Sequence, residues 1–126
     1  MSTKPIFINL LKIRLPLAAF MSITHRLSGI ALFFIVIPFS AYLYSNFTRD
    51  EMAFTLMLEI YSSNFIFRTF VLFAIFIFQY HMFVGIRHMI HDFHLLPETL
   101  ESSEVSAQVT IVLFLINSLI TFWVML

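Results

Sequence analysis

The sequence predicts an all-α membrane protein with three transmembrane helices, and its composition and charge distribution are the two observations behind that prediction. The chain has 126 residues, of which 60% are hydrophobic and 11% are charged. An average soluble domain is roughly 45 to 50% apolar and about 25% charged. The charges fall in clusters between long uncharged runs, and a membrane-spanning helix needs about 20 apolar residues. Lipid is therefore the predicted solvent for most of the chain.

The three spans are predicted at about residues 22–47, 65–88 and 105–126. The uncharged runs that define them cover residues 27–47, 69–86 and 105–126. Pro38 lies inside the first run and predicts a kink there, because proline removes a helical hydrogen bond. The two connections, roughly 48–68 and 87–104, are too short for separate domains, so we expect residues 1–126 to form a single transmembrane domain.

The charge balance and the absence of cysteine exclude several classes of function for this chain. Seven Lys and Arg residues balance seven Asp and Glu residues, which leaves no strongly basic surface for a nucleic acid. Without cysteine, the chain has no disulfide, no thiolate-held zinc or iron–sulfur ligand, and no thiol nucleophile.

The N-terminus does not have the pattern of a secretory signal peptide. Lys12 and Arg14 interrupt the first apolar stretch, and no A-x-A-like cleavage site precedes His25 and Arg26. A second long apolar run follows directly. We therefore expect the N-terminal segment to be retained.

The distribution of basic residues predicts the orientation of the chain. Four cationic residues precede the first span, and the positive-inside rule places such a cluster in the cytoplasm: they are Lys4, Lys12, Arg14 and Arg26. Three spans then put the C-terminus outside. The second span runs inward, so His81 is expected in the cytoplasmic leaflet, at the depth where the first span begins with Ser22, His25 and Arg26.

His81 lies inside an apolar span, where an ionisable side chain is costly and marks a functional site by default. A neutral imidazole is a ligand for haem iron, and Gly85, four residues on, leaves room on the same helical face. His88 also lies on that face, but about 10.5 Å further along the axis, too far to bind the same iron. The alternative is a histidine that hydrogen-bonds between helices.

The histidines nearer the end of this segment have weaker functional arguments. His91 and His94 are expected to be ordinary membrane-surface residues. The i,i+4 spacing pairs His91 with Arg87 and His88 with Asp92, which is consistent with a surface network and leaves a proton path open.

Ser22, Arg26 and Gly29 are spaced i, i+4 and i+7 and form one stripe where the first span begins. A hydroxyl and a guanidinium can donate to a carbonyl or carboxylate, and the glycine leaves space beside them. The stripe therefore suits an oxygen-rich, partly apolar ligand. The alternative is an interfacial arginine that reaches the lipid headgroups beside a helix-starting serine.

The segments IRLPLAAFMSITHRLSG (residues 13–29) and YHMFVGIRHMIHDF (residues 80–93) resemble the cytochrome b556 membrane-anchor subunits of bacterial succinate dehydrogenase, respiratory complex II. The combination of Ser-x-x-His-Arg-x-Ser-Gly with His-x-x-x-Gly-x-Arg-His-x-x-x-Asp is specific, and chain length and three spans agree with it. The third span matches only in hydrophobicity. Thr24 stands where an apolar residue is more usual.

The resemblance implies cofactors and site residues. His81 falls on an axial ligand of haem b, with the second ligand supplied by another small anchor subunit. Ser22 and Arg26 fall on the ubiquinone site, and His25 and Arg26 lie near the haem propionates.

The resemblance also implies partners and a place in the cell. These are a flavoprotein subunit, an iron–sulfur subunit and the second anchor subunit, with which this chain forms one helical bundle. The complex lies in the bacterial cytoplasmic (inner) membrane, with the C-terminus in the periplasm.

The predicted function is that of a membrane-anchor cytochrome b subunit, which passes electrons from succinate oxidation to ubiquinone and is not an enzyme alone. Two alternatives remain at this point: a purely structural anchor without haem, and a small metal or proton transporter. The sequence does not determine the haem potential, the direction of turnover or the native quinone.

Overall fold

A computed structural model describes residues 15–125, which are helical apart from short connections and contain no β-strand. The helices are α1 (Leu17–Ala31), α2 (Ile37–Phe47), α3 (Glu51–Ser63), α4 (Phe65–Asp92) and α5 (Leu100–Met125). Three stretches are long and apolar enough to cross a membrane: Leu17–Phe47, Phe65–Asp92 and Leu100–Met125. The predicted all-α membrane fold is confirmed.

The helices extend beyond the predicted spans at the end where α1 begins. α4 continues to Asp92 and α5 already begins at Leu100. Hydropathy locates the apolar part of a helix, whereas the helix itself ends where its backbone hydrogen bonds end. Polar residues at the membrane interface can therefore continue a helix beyond its apolar part.

A π-helical turn (Leu32–Val36) joins α1 to α2 immediately before Pro38. The N–H of Ile37 bonds to the carbonyl of Leu32, five residues back. Proline lacks an N–H and crowds the carbonyl four residues before it. The disturbance predicted at Pro38 therefore takes the form of one widened turn, and the helix continues on both sides.

Helix α3 lies within the segment that the sequence analysis treated as a connection. Asp50 caps it, with Oδ1 accepting from the Ala53 N–H at 2.7 Å, and Asn64 ends it and caps α4 by accepting from Phe67 N at 3.0 Å. Ala53 and Met57 are the buried residues of this helix. Helix α3 is thus capped and partly buried, but it is too short to cross a membrane.

The Asp50 cap depends on an ionised carboxylate. The Ala53 N–H and then the Arg49 guanidinium, 3.0 Å from Oδ2, hold the pKa of Asp50 below its ordinary value. The contribution of the cap to stability is therefore present above the unfolded-state pKa and is lost as the pH falls through the lower folded-state pKa.

The buried core lies among α1, α4 and α5, at the end of the molecule that we call the site end: the N-termini of α1 and α5 and the C-terminus of α4. Met21, Val84 and Ala107, one from each helix, are at most 1% exposed. Leu17, Ala18, Tyr80 and Ile111 pack around them. The site end therefore contains the most deeply buried apolar side chains among residues 15–125.

Away from the buried core, a few polar contacts also join the helices. Gln79 Nε2 donates to Thr121 Oγ1 at 2.6 Å, and the Tyr61 hydroxyl donates to the Met125 carbonyl at 3.0 Å. The Ser118 hydroxyl is buried and makes no hydrogen bond to any residue that the structure describes. Most large apolar side chains point outward, as expected for helices in contact with lipid or other subunits.

Candidate functional site

Two of the predicted site histidines are in direct contact at the site end. The imidazoles of His25 on α1 and His81 on α4 stack with their centroids 4.1 Å apart and their planes 15° apart. Helices α1 and α4 run in opposite directions, so residues 56 positions apart in the chain reach one depth. The convergence expected from orientation arguments is thus present in the structure.

Two glycines permit this stacking, one on each helix. A Cβ at Gly29 would lie 3.2 Å from His81 Cε1, and a Cβ at Gly85 would lie 3.3 Å from His25 Nε2. Each glycine therefore accommodates the histidine of the facing helix. The space that the sequence analysis assigned to a ligand at these positions is filled by imidazole, because the two helices approach closely here.

Ser28 joins the two histidines through its hydroxyl. Oγ donates to the His25 carbonyl at 2.7 Å and lies 2.9 Å from His81 Nδ1. The serine is 9% exposed. It is part of the Ser-x-x-His-Arg-x-Ser-Gly motif, but sequence reasoning gave it no role, because nothing in the sequence identifies its partner on α4.

His25 has one nitrogen without a partner. Its Nε2 is buried and makes no hydrogen bond within residues 15–125. The His88 ring lies nearby, with its centroid 5.1 Å from that of His25 and the planes tilted by 54°. His88 thus faces the histidine pair, and no hydrogen bond or ion pair joins it to Asp92 among the described residues.

Ser22 and Arg26 lie on α1 beside this cluster. The Ser22 side chain is half-buried and that of Arg26 is exposed. Both lie within one turn of His25 on α1, so the residues predicted to bind a quinone and the predicted haem ligand share one end of the bundle. Their roles stay a prediction.

Arg87 and His91 do not pair with each other as their spacing suggested. Arg87 is 6% exposed and donates to the Ser103 carbonyl at 2.9 Å and to Ser106 Oγ at 3.1 Å. His91 Nε2 lies 2.8 Å from the same Ser106 Oγ. Both side chains therefore tie α4 to α5, whereas the exposed His94 pairs with Glu98 in the loop.

Thr24, the departure from the usual apolar residue, has a partner. Its hydroxyl donates to the Phe20 carbonyl at 3.0 Å, and the Tyr80 hydroxyl contacts the hydroxyl oxygen of Thr24. Because the hydroxyl proton of Thr24 is already used within α1, Tyr80 is the donor in the contact between the two helices. The substitution thus adds a polar contact between α1 and α4, one residue from both histidines.

Glu104 on α5 caps α1 from a different helix. Its two carboxylate oxygens accept from Leu17 N at 3.2 Å and from Ala18 N at 3.1 Å. The residue that precedes α1 is Pro16, whose side chain cannot cap. The carboxylate satisfies two N–H groups and is favoured at the positive end of the helix dipole. Sequence reasoning missed this contact because it spans 86 residues.

Replacement of Glu104 by alanine should therefore destabilise the site end. Loss of the two capping bonds is expected to cost about 1 to 3 kcal/mol, because the N–H groups lose a charged acceptor. The midpoint of thermal unfolding of the purified protein in detergent should fall. Glu101→Ala, an exposed carboxylate in the first turn of the same helix, is the matched control. Equal midpoints for both variants would contradict the capping role.

A comparison with known protein families agrees with these features. The model of the succinate dehydrogenase/fumarate reductase transmembrane subunit family matches residues 2–121, which is nearly the whole chain and includes the first two spans, most of the third and the histidine cluster. Members of this family are membrane subunits of a multi-subunit complex. The chain therefore belongs to the succinate dehydrogenase/fumarate reductase transmembrane subunit family.

Proposed function

We propose that this chain is the membrane-anchor cytochrome b subunit of a succinate dehydrogenase, which helps to hold haem b and ubiquinone and passes electrons from succinate oxidation to the quinone. The observation that supports this most is the stacked pair of His25 and His81, beside Arg26 and at the end of the bundle where α1 begins. A structural bundle does not require two stacked imidazoles between its helices.

The residues at the site end fit one side of a haem site. The Ser28 hydroxyl is hydrogen-bonded to His81 Nδ1, so Nε2 is the nitrogen available to iron. The exposed guanidinium of Arg26, next to His25 in the chain, would supply a charge-assisted donor for a haem propionate. A bound haem supplies a one-electron redox centre whose potential depends on its ligands and their hydrogen bonds.

A second subunit completes this site in our proposal. His81 would hold the haem iron from this chain, and a second small anchor subunit would supply the other protein ligand. The outward-facing apolar side chains provide surface for that subunit as well as for lipid. An iron–sulfur subunit delivers electrons to this end of the bundle, and a flavoprotein subunit oxidises succinate.

Ser22 and Arg26 would bind the ubiquinone headgroup. Reduction of a quinone takes two electrons and two protons, so its carbonyl oxygens need hydrogen-bond donors and positive charge while negative charge develops. The serine hydroxyl and the exposed guanidinium provide these from one face of α1. The chain contributes binding and orientation, and turnover requires the whole complex.

One observation favours the alternative of a structural anchor without haem. His81 already bonds to Ser28 across the α1–α4 contact, as an interhelical histidine would. The test is a visible absorption spectrum of the detergent-purified native complex, together with identification of its subunits. A low-spin b-type spectrum with succinate dehydrogenase subunits would support the proposal, whereas the same subunits without haem would support the alternative.

The proposed orientation in the bacterial cytoplasmic membrane has the N-terminus inside. It depends largely on Lys4, Lys12 and Arg14, which lie outside the described residues, together with Arg26. A reporter enzyme active only outside the cytoplasm should be active when fused after Leu126. The same reporter fused after Pro97, in the loop between α4 and α5, should be inactive. The reverse result would place the histidine pair in the outer leaflet.

A further inference from the structure

The hydroxyl of Ser28 is the only side-chain partner of His81 among the described residues. It is buried between α1 and α4, 2.9 Å from Nδ1. Its role follows from the number of protons available. A serine hydroxyl has one proton to donate and oxygen lone pairs that accept.

The proton of Ser28 is used within its own helix. Oγ lies 2.7 Å from the His25 carbonyl, which has no proton and can only accept. The contact between Oγ and His81 Nδ1 then requires a proton on Nδ1. A neutral imidazole with its proton on Nδ1 has an unprotonated Nε2, and that lone pair is what binds a metal.

The surroundings of His81 also limit its orientation. The His25 ring covers one face at 4.1 Å, and Gly29 allows Cε1 to approach the α1 backbone. Rotation of the ring would break the bond to Ser28 without an equivalent acceptor among these contacts. The hydroxyl therefore determines both the tautomer and the direction of Nε2.

We propose that Ser28 is a positioning residue, which accepts a hydrogen bond from the Nδ1–H of His81 and so leaves Nε2 unprotonated and oriented to hold the haem iron. This inference rests on the proposed function, because it assigns a role toward a haem. Ser28 itself touches neither iron nor quinone. It acts as the hydrogen-bonded support that metal-binding histidines commonly have, and loss of such support typically lowers affinity or activity by about 10- to 100-fold.

The hydrogen bond also affects the electronic properties of the ligand. Donation from Nδ1 to an oxygen makes Nε2 a stronger base, and a stronger base stabilises ferric more than ferrous iron. Loss of the bond should therefore raise the reduction potential. A purely structural serine would affect assembly and thermal stability but would not move the potential in a defined direction.

The test compares Ser28→Ala with the wild-type complex and with Ser118→Ala. The control removes another buried hydroxyl within a span, one that has no hydrogen-bond partner in the described part of the chain. In assembled, purified complex, Ser28→Ala should raise the midpoint potential, shift the low-spin electron paramagnetic resonance signal, and speed haem transfer to excess apomyoglobin by about 10- to 100-fold. Ser118→Ala should match the wild type in all three, and Ser28→Thr, which keeps the hydroxyl, should restore the wild-type potential.

The outcomes separate this inference from the proposed function. A wild-type complex without b-type haem would overturn both. A wild-type complex with haem, and a Ser28→Ala complex with unchanged potential, signal and transfer rate, would overturn the role of Ser28 alone. A shift in Ser28→Thr as large as that in Ser28→Ala would also overturn it, because the hydroxyl would then not be the operative group.

Discussion

Replacement of His81 by leucine is expected to remove or alter the low-spin b-type spectrum of the purified complex, the largest spectroscopic effect that we predict for a single substitution. Leucine has no lone pair for iron, and in the proposed function His81 is the residue of this chain that would hold the haem iron. The measurement is the reduced-minus-oxidised absorption spectrum, normalised to the amount of assembled complex.

Two further substitutions make this prediction specific to His81. His94→Leu should leave the spectrum unchanged, because His94 is exposed in the loop beyond α4. His25→Leu should keep a low-spin spectrum but hold haem less firmly, since His25 is predicted to lie near a propionate rather than to bind the iron. An unchanged spectrum in assembled His81→Leu complex would rule out His81 as the ligand.

Replacement of Arg26 by leucine is expected to cause the largest loss of quinone reductase activity. It removes a charge-assisted donor worth roughly 1.5 to 3 kcal/mol, or roughly 13- to 160-fold in rate if the bond is fully used in the transition state. It also removes a cation from beside the proposed propionate. Ser22→Ala removes one neutral hydrogen bond, worth about 0.5 to 1.5 kcal/mol, and should lower the rate by roughly 2- to 13-fold.

The assay that tests the quinone site compares two electron acceptors on membranes with matched amounts of complex. Both variants should lose succinate-to-ubiquinone activity but keep electron transfer to an artificial acceptor that draws directly from the flavoprotein. Arg68→Leu, at the opposite end of α4, is the control for loss of an interfacial cation. Wild-type ubiquinone rates in Arg26→Leu and Ser22→Ala would show that the stripe contacts only lipid headgroups.

The fold class and the three spans were predictable from the sequence because membrane insertion depends on the apolar length of each segment, a local property. The capped helix α3 was not predicted, although Asp50 directly precedes its first residue and aspartate is a preferred N-cap residue. Its apolar residues resemble those of the spans on either side, so hydropathy did not distinguish a short surface helix from a connection.

Part of the candidate site was also predictable, because some of its features are local properties of the sequence. An imidazole inside an apolar run is visible in the sequence, as is the stripe of Ser22 and Arg26 at the start of α1. The two glycines were predicted to leave room for a ligand, whereas in the structure each lies against the imidazole of the facing helix. The sequence predicts that a small residue is needed, whereas the identity of the neighbour depends on the rotation of the facing helix.

The sequence by itself therefore determined the solvent of this protein, the number of spans and the residue types at one end of the bundle. Only the tertiary structure decided which of those residues touch: His25 stacks on His81, Ser28 bonds to His81, and Glu104 caps α1. These contacts join helices that are distant in the chain, and each depends on the rotation and axial offset of two helices at once. Hydropathy determines neither quantity, because many rotations bury a similar amount of apolar surface and only one brings these polar groups within bonding distance.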